Sequence, residues 1–217
     1  MSLGIAFKGP EGIVLAADSR VTLNAQIPFQ PPIPQPQQAQ ALPQFVLLPS
    51  TYDNATKLLR VKGQQYVCAV TYGIGVIGQQ SPRTAHSYIP EFENELGNNG
   101  DRLSVSAFAQ RLSDFFMRQW QTQMPQNLPA GQDMVFLVGG YDDGEPYGKI
   151  FEFLIPSRPN PVEQQIGTFG MVWGGQREYT DRIIQGFDER LLPLTQQFLN
   201  LQPDRIAELR NHLRNNL

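Results

Sequence analysis

The chain has 217 residues, a hydrophobic content of 41% and a formal net charge of −3. That length suits a single domain able to bury a substantial core. The slightly acidic balance, with no Lys/Arg-rich run, argues against nucleic acid as a partner. The chain's one cysteine, Cys68, excludes an internal disulfide, fits a reducing compartment, and reads as a packed thiol in an apolar strand.

Residues 4–18 read as a hairpin: two short apolar runs joined by Gly9-Pro10-Glu11-Gly12. The second run leads directly into Asp18. Removal of Met1 would give Ser2 both a hydroxyl and a free α-amine. Such an amine has an ordinary pKa of about 7.7–8 and is partly unprotonated at neutral pH. A nucleophile carrying its own base is the N-terminal-nucleophile arrangement. An ordinary disordered terminus is the plainer alternative for Ser2.

Residues 27–44 contain six Pro and six Gln. Proline lacks an N–H donor, so this insertion, placed at about 24–50, is expected to supply no sheet ladder and to run as polyproline II or coil. It reads as a tolerated surface loop, or as an arm that gates substrate or touches a neighbour. Strands are expected at 57–62 and 65–72. Ser81-Pro82 is expected to open a helix whose stripe is Ala85, Tyr88, Ile89, Phe92 and Leu96, kinked by Pro90. Ser104 should cap a second helix with Val105, Phe108, Leu112, Phe115 and Trp120 on one face. Strands return at 134–138 and 149–155. A helix is expected from Arg177 towards Leu192, and a polar one from Pro203. The order fits an α+β fold with helices packed on stacked antiparallel sheets.

Asp18, at the end of an apolar strand, requires a partner if buried. Lys57 offers a cation that would lower the pKa of a nearby hydroxyl, and Lys62, in a turn, is a weaker candidate. Gly73 could direct its N–H at an oxyanion, with Thr71 and Tyr72 as alternatives in register. Asp142-Asp143-Gly144 reads as a hairpin turn rather than a calcium loop. His86 and His212 lack ligand-spaced partners, so no metal is expected. Gly73-Ile74-Gly75 is not a dinucleotide fingerprint, and no cofactor is expected.

Residues 12–22, Gly-Ile-Val-Leu-Ala-Ala-Asp-Ser-Arg-Val-Thr, resemble the second-strand signature of proteasome β-type subunits and their bacterial proteasome-like relatives. Ser2 and Asp18 match the spacing of that family's nucleophile and aspartate. Residues 56–61 resemble its lysine strand, and residues 66–73 the strand ending at its oxyanion hole. The resemblance implies a four-layer αββα sandwich and a hydrolase of peptide or other amide bonds. It assigns nucleophile, orienting aspartate, cation and oxyanion donor to Ser2, Asp18, Lys57 and Gly73. It also implies self-association into a ring or spiral and leaves open an ATPase unfoldase. The residues themselves give the expectation of a cytoplasmic location and no membrane partner. No apolar stretch approaches the roughly 20 residues needed to span a bilayer, and the N-terminus lacks a basic region followed by an apolar one. Three departures stand against the resemblance. Serine replaces the usual threonine, Trp173-Gly174-Gly175-Gln176 falls where the family has a serine, and the chain stops before the family's closing helix and strands. These departures favour the alternative, a catalytically silent structural subunit.

Overall fold

The computed structural model describes residues 2–29, 44–78, 81–97, 102–125 and 132–216. Strands β1 (Leu3–Gly9) and β2 (Gly12–Ala17) form the expected hairpin, closing tightly with Gly9 opposite Gly12. Strands β3 (Val21–Phe29) and β4 (Gln44–Tyr52) form a separate two-stranded antiparallel ladder. This corrects the expectation that the proline-rich region supplies no ladder: its flanks do so, and residues 30–43 lie outside the described residues. Both strands are edges. Pro28 lies opposite Phe45, and Pro49 opposite Asn24, four positions from Pro28. Residues alternate in which edge their N–H faces, so one phase of the ladder accommodates both prolines.

A five-stranded sheet follows in the order β5-β6-β7-β8-β9. Its strands are β5 (Leu58–Leu59), β6 (Val67–Gly73), β7 (Met134–Gly140), β8 (Lys149–Ile155) and β9 (Arg158–Gln164). β7 is buried along its whole length, as a central strand covered on both faces must be. β9 was not expected, because Pro159 and Pro161 make its sequence unlike a strand. It is an edge, and the two prolines share one phase. β10 (Gly170–Gly175) pairs with β1, giving a three-stranded sheet β10-β1-β2.

The helix expected from Ser81 begins later. Ile77 and Arg83 form a β-bridge, and a 3-10 turn spans Ala85–Tyr88. Only then does α1 (Ile89–Leu96) start, with Pro90 in its first turn, where the missing N–H costs nothing, so no kink is needed. α2 (Val105–Gln123) is capped as expected: Ser104 Oγ accepts from the N–H of Ala107 at 3.2 Å. The helix expected over 177–192 is divided. α3 (Arg177–Gln185) stops at Gly186, which is left-handed, and α4 (Leu191–Leu199) begins afresh before α5 (Pro203–Asn216).

The helices α1 and α2 cover one face of the five-stranded sheet. Their core includes Phe92, Phe108, Phe116, Phe136 and Phe153, all fully buried, with Phe136 stacked on Phe153 at 4.8 Å. The three-stranded sheet covers the other face. Ala6, Ile13, Leu15 and Val172 pack there against Val70, Tyr72, Leu137 and Ile150. α3 touches β10, where Trp173 Nε1 donates to Asp181 at 2.7 Å, while α4 and α5 share a small cluster of Phe187, Leu192 and Ile206. The class is α+β. Among the described residues, no helix is long and apolar enough to cross a membrane.

Candidate active site

The stacking of the two sheets brings the start of β1, the end of β2 and the start of β5 together. Lys57, just before β5, is buried, and its ammonium has three donors. It donates to Ser2 Oγ at 3.1 Å, Asp18 Oδ1 at 2.8 Å and the carbonyl of Arg20 at 2.6 Å. Three donors thus meet three acceptors in one cluster.

Asp18 ties this cluster to the backbone of β1. Its Oδ1 accepts from the N–H of Leu3 at 2.6 Å, and its Oδ2 accepts from the N–H of Arg20 at 2.9 Å. The N–H of Asp18 in turn donates to the carbonyl of Leu3 at 3.1 Å. Burial acts to raise the Asp18 pKa. The Lys57 ammonium and the two N–H donors outweigh it and hold the carboxyl below its ordinary value. Beside it, the Arg20–Asp53 ion pair at 2.5 Å and the Ala55 N–H to Ser19 carbonyl bond at 2.9 Å join the 18–20 turn to the segment leading into Lys57.

The other flank of Ser2 is held by β10. The N–H of Gln176 donates to the Ser2 carbonyl at 2.8 Å. Gly174 admits the ring of Tyr72, since a β-carbon there would come within 2.3 Å of the Tyr72 hydroxyl oxygen. Burial, together with the charge of and hydrogen bond to Glu152, pushes the Tyr72 phenol well above its ordinary value, so it stays neutral and serves as a donor to Glu152. The role of β10 could not be read from the sequence, because three glycines in six residues hide a strand.

The phase of the β6–β7 ladder separates the three oxyanion-donor alternatives. Ile74 N–H donates to the Asp133 carbonyl at 2.9 Å, and Tyr141 N–H to the Tyr66 carbonyl at 3.0 Å. Even-numbered N–H groups of β6, Tyr72 included, therefore face β7. Odd-numbered ones face β5, and Thr71 N–H is already taken by the Lys57 carbonyl at 3.1 Å. Gly73 N–H leaves on the Lys57 side, one step further on, and among the described residues nothing accepts it. Glycine is also required there sterically. Its φ is +85°, and a β-carbon would meet the Asp133 carbonyl oxygen at 2.3 Å.

Lys62 lies in the turn away from this cluster, its N–H bonded to Glu93 Oε1 at 2.6 Å. Asp142 accepts from Val105 N–H at 2.7 Å and pairs with Lys149 at 2.8 Å, a structural tie at the start of α2. Cys68 is half-buried, and burial pushes its thiol up.

No protein-family model and no curated protein matches the chain. A solved structure that it resembles is the helical assembly of the Anbu complex from Pseudomonas aeruginosa. The TM-score is 0.50 at 17% identity, over 96% of this chain and 72% of that one. At this identity the likeness is one of fold. The finding corrects the assignment to proteasome β-type subunits and bacterial proteasome-like hydrolases, which no family model supports. The physical reason is that the matched blocks are short. They consist largely of apolar strands ending in a polar residue, a pattern that half-buried strands produce in many folds.

Proposed function

We propose that the protein is an N-terminal-nucleophile hydrolase of peptide or other amide bonds. Ser2 is the nucleophile once its α-amine has been freed of Met1 and of anything before it. The observation that carries this reading is the Lys57 ammonium, 3.1 Å from Ser2 Oγ and bonded at the same time to Asp18. In this reading Ser2 Oγ attacks the amide carbonyl carbon and the C=O electron pair moves onto oxygen. The hydroxyl proton passes to the α-amine, directly or through a water, and then to the leaving nitrogen as the C–N bond breaks. Water next attacks the resulting ester, and Ser2 Oγ leaves with the proton. Lys57 stabilises negative charge on Oγ, Asp18 orients Lys57, and the Gly73 N–H receives the oxyanion. A four-layer αββα sandwich, with α3 on the outer face of the three-stranded sheet, belongs to the same proposal.

The reading extends to self-association into a ring or spiral. Ile183, Leu191, Leu194 and Phe198 expose an apolar surface on α3 and α4, and the structural relative forms a helical assembly. A second reading, a catalytically silent structural subunit, is favoured by one observation. Where β10 meets the backbone of Ser2 it offers glycine, and so no supporting hydroxyl.

Intact-mass analysis and acylation test the enzyme reading. The expected result is a mass lacking Met1 and a hydroxylamine-labile β-lactone adduct on Ser2, absent from Ser2→Ala. Hydrolysis of peptide amides that survives Ser2→Ala would place the chemistry elsewhere. Removal of Met1 without any adduct favours the silent subunit.

A further inference from the structure

A narrow pocket adjoins the Ser2 hydroxyl, walled by Val21, Ala55 and Ile74. Its volume is ≈ 10 Å³, room for about one water-sized group. It cannot widen easily on one side, because Val21 is buried against Gly75. A β-carbon on Gly75 would come within 2.8 Å of Val21 Cγ1.

Thr71 also lines this pocket, from β6, directly across the ladder from Lys57. It is only 6% exposed, and among the described residues its Oγ1 is buried with no hydrogen-bond partner. Lys57, its neighbour, cannot serve, because all three ammonium donors are committed to Ser2, Asp18 and Arg20. A buried hydroxyl left unpaired is costly, and such groups in native structures call for an explanation.

We infer that this pocket takes the side chain of the residue whose carbonyl is attacked, and that Thr71 selects a small hydroxyl-bearing side chain there, serine above all. This inference rests on the reading of Ser2 as nucleophile. A hydroxymethyl group sets one oxygen in a space sized for one water, and Thr71 Oγ1 can donate to it or accept from it. Alanine fits but leaves Thr71 facing a methyl group. Leucine and phenylalanine exceed the space between Val21 and Ile74. A lysine side chain would bring a second ammonium beside Lys57. A site built around a substrate hydroxyl discriminates against the analogue lacking it, because the site's own polar group is then unpaired.

The test uses blocked peptides ending in serine, alanine or leucine, each joined to the same fluorogenic amine. The full chain is assayed as Thr71, Thr71→Val and Thr71→Ser, with thermal melting to verify folding. An unsubstituted β-lactone, which carries no side chain, is run in parallel. The expected kcat/KM favours serine over alanine by roughly tenfold, with leucine lower still. Thr71→Val should reduce the serine-to-alanine ratio to about one, and Thr71→Ser should keep the preference. Ser2 acylation by the lactone, together with a ratio near one in the native chain, overturns the inference alone. So does Ser2 acylation with a preference that Thr71→Val leaves unchanged. Absence of both acylation and hydrolysis overturns the nucleophile reading, and this inference with it.

Discussion

Gly175 lies so close to Ser2 that a β-carbon on it would fall 1.8 Å from the Ser2 carbonyl oxygen. The same oxygen accepts the N–H of Gln176 at 2.8 Å. β10 thus clamps the serine backbone from one side, while Asp18 holds the next residue, Leu3, from the other. Gly175, in the stretch that falls where proteasome β-type subunits have a serine, therefore has a positive role, because only a residue without a side chain permits this approach.

Gly175→Ala should accordingly displace Ser2 from Lys57. The expected result is a lower melting temperature and a fall of at least about tenfold in β-lactone acylation of Ser2. Gly144→Ala is the matched control. Both glycines have positive φ, Gly175 at 96° and Gly144 at 76°, but nothing lies within 4 Å of a β-carbon added at Gly144, so the change there should cost only backbone strain of about 1–2 kcal/mol. Equal effects of the two substitutions would show that conformation alone, and not the contact with Ser2, sets the requirement at Gly175.

The parts legible in the sequence were those governed by local pattern. The β1–β2 hairpin follows from alternation and a Pro/Gly turn, and α2 from its cap and apolar stripe. Asp18 and Lys57 stood out as polar groups at strand ends. The parts missed were governed by partners distant in sequence. β9 and the β3–β4 ladder contain prolines, tolerated because each lies in an edge strand. β10 is glycine-rich because Ser2 and Tyr72 press against it. The choice among Thr71, Tyr72 and Gly73 could not be made from the chain alone, because it depends on the phase of the ladder with β7. The unpartnered hydroxyl of Thr71 appears only when Lys57 has been given its three acceptors.

The depressed pKa of Asp18 makes a prediction about acid stability. An ordinary aspartate titrates near 3.9, and folded Asp18 titrates below that. As pH falls, the unfolded chain takes up this proton first, so protonation favours unfolding. The contribution of Asp18 is therefore complete above about pH 5 and is lost as pH falls past about 4 and through the folded value. Urea denaturation of the native protein and of Asp18→Asn should show a constant stability difference between pH 5 and 8 that narrows on acidification. A difference still undiminished at pH 3 would contradict the assignment.

Lys57→Met removes the cation and leaves Asp18 with only its backbone donors. The expected loss is about 10²–10³-fold in kcat/KM, with destabilisation of about 1–3 kcal/mol. Lys57→Arg should not restore activity. A planar guanidinium cannot point donors at Ser2, Asp18 and the Arg20 carbonyl as a tetrahedral ammonium does. Steady-state kinetics on both variants decides the point, and near-native activity in Lys57→Arg would show that charge alone suffices.

The exposed apolar residues of α3 and α4 separate assembly from folding. Ile183 is 84% exposed and Phe198 88% exposed, whereas Leu192, between them in sequence, is 2% exposed and packs with Phe187 and Ile206. Glutamate at both exposed positions should change protomer stability by no more than about 0.5 kcal/mol each. If this face is covered by a second copy, those two charges would be buried without partners and association should fail. Light scattering is therefore expected to give a discrete oligomer for the native chain and a lower mass for Ile183→Glu/Phe198→Glu at an unchanged melting temperature. Leu192→Ala should behave in the opposite way, costing about 2–5 kcal/mol of protomer stability through the cavity it leaves between α4 and α5. An unchanged mass in the double variant would remove this face from the assembly interface.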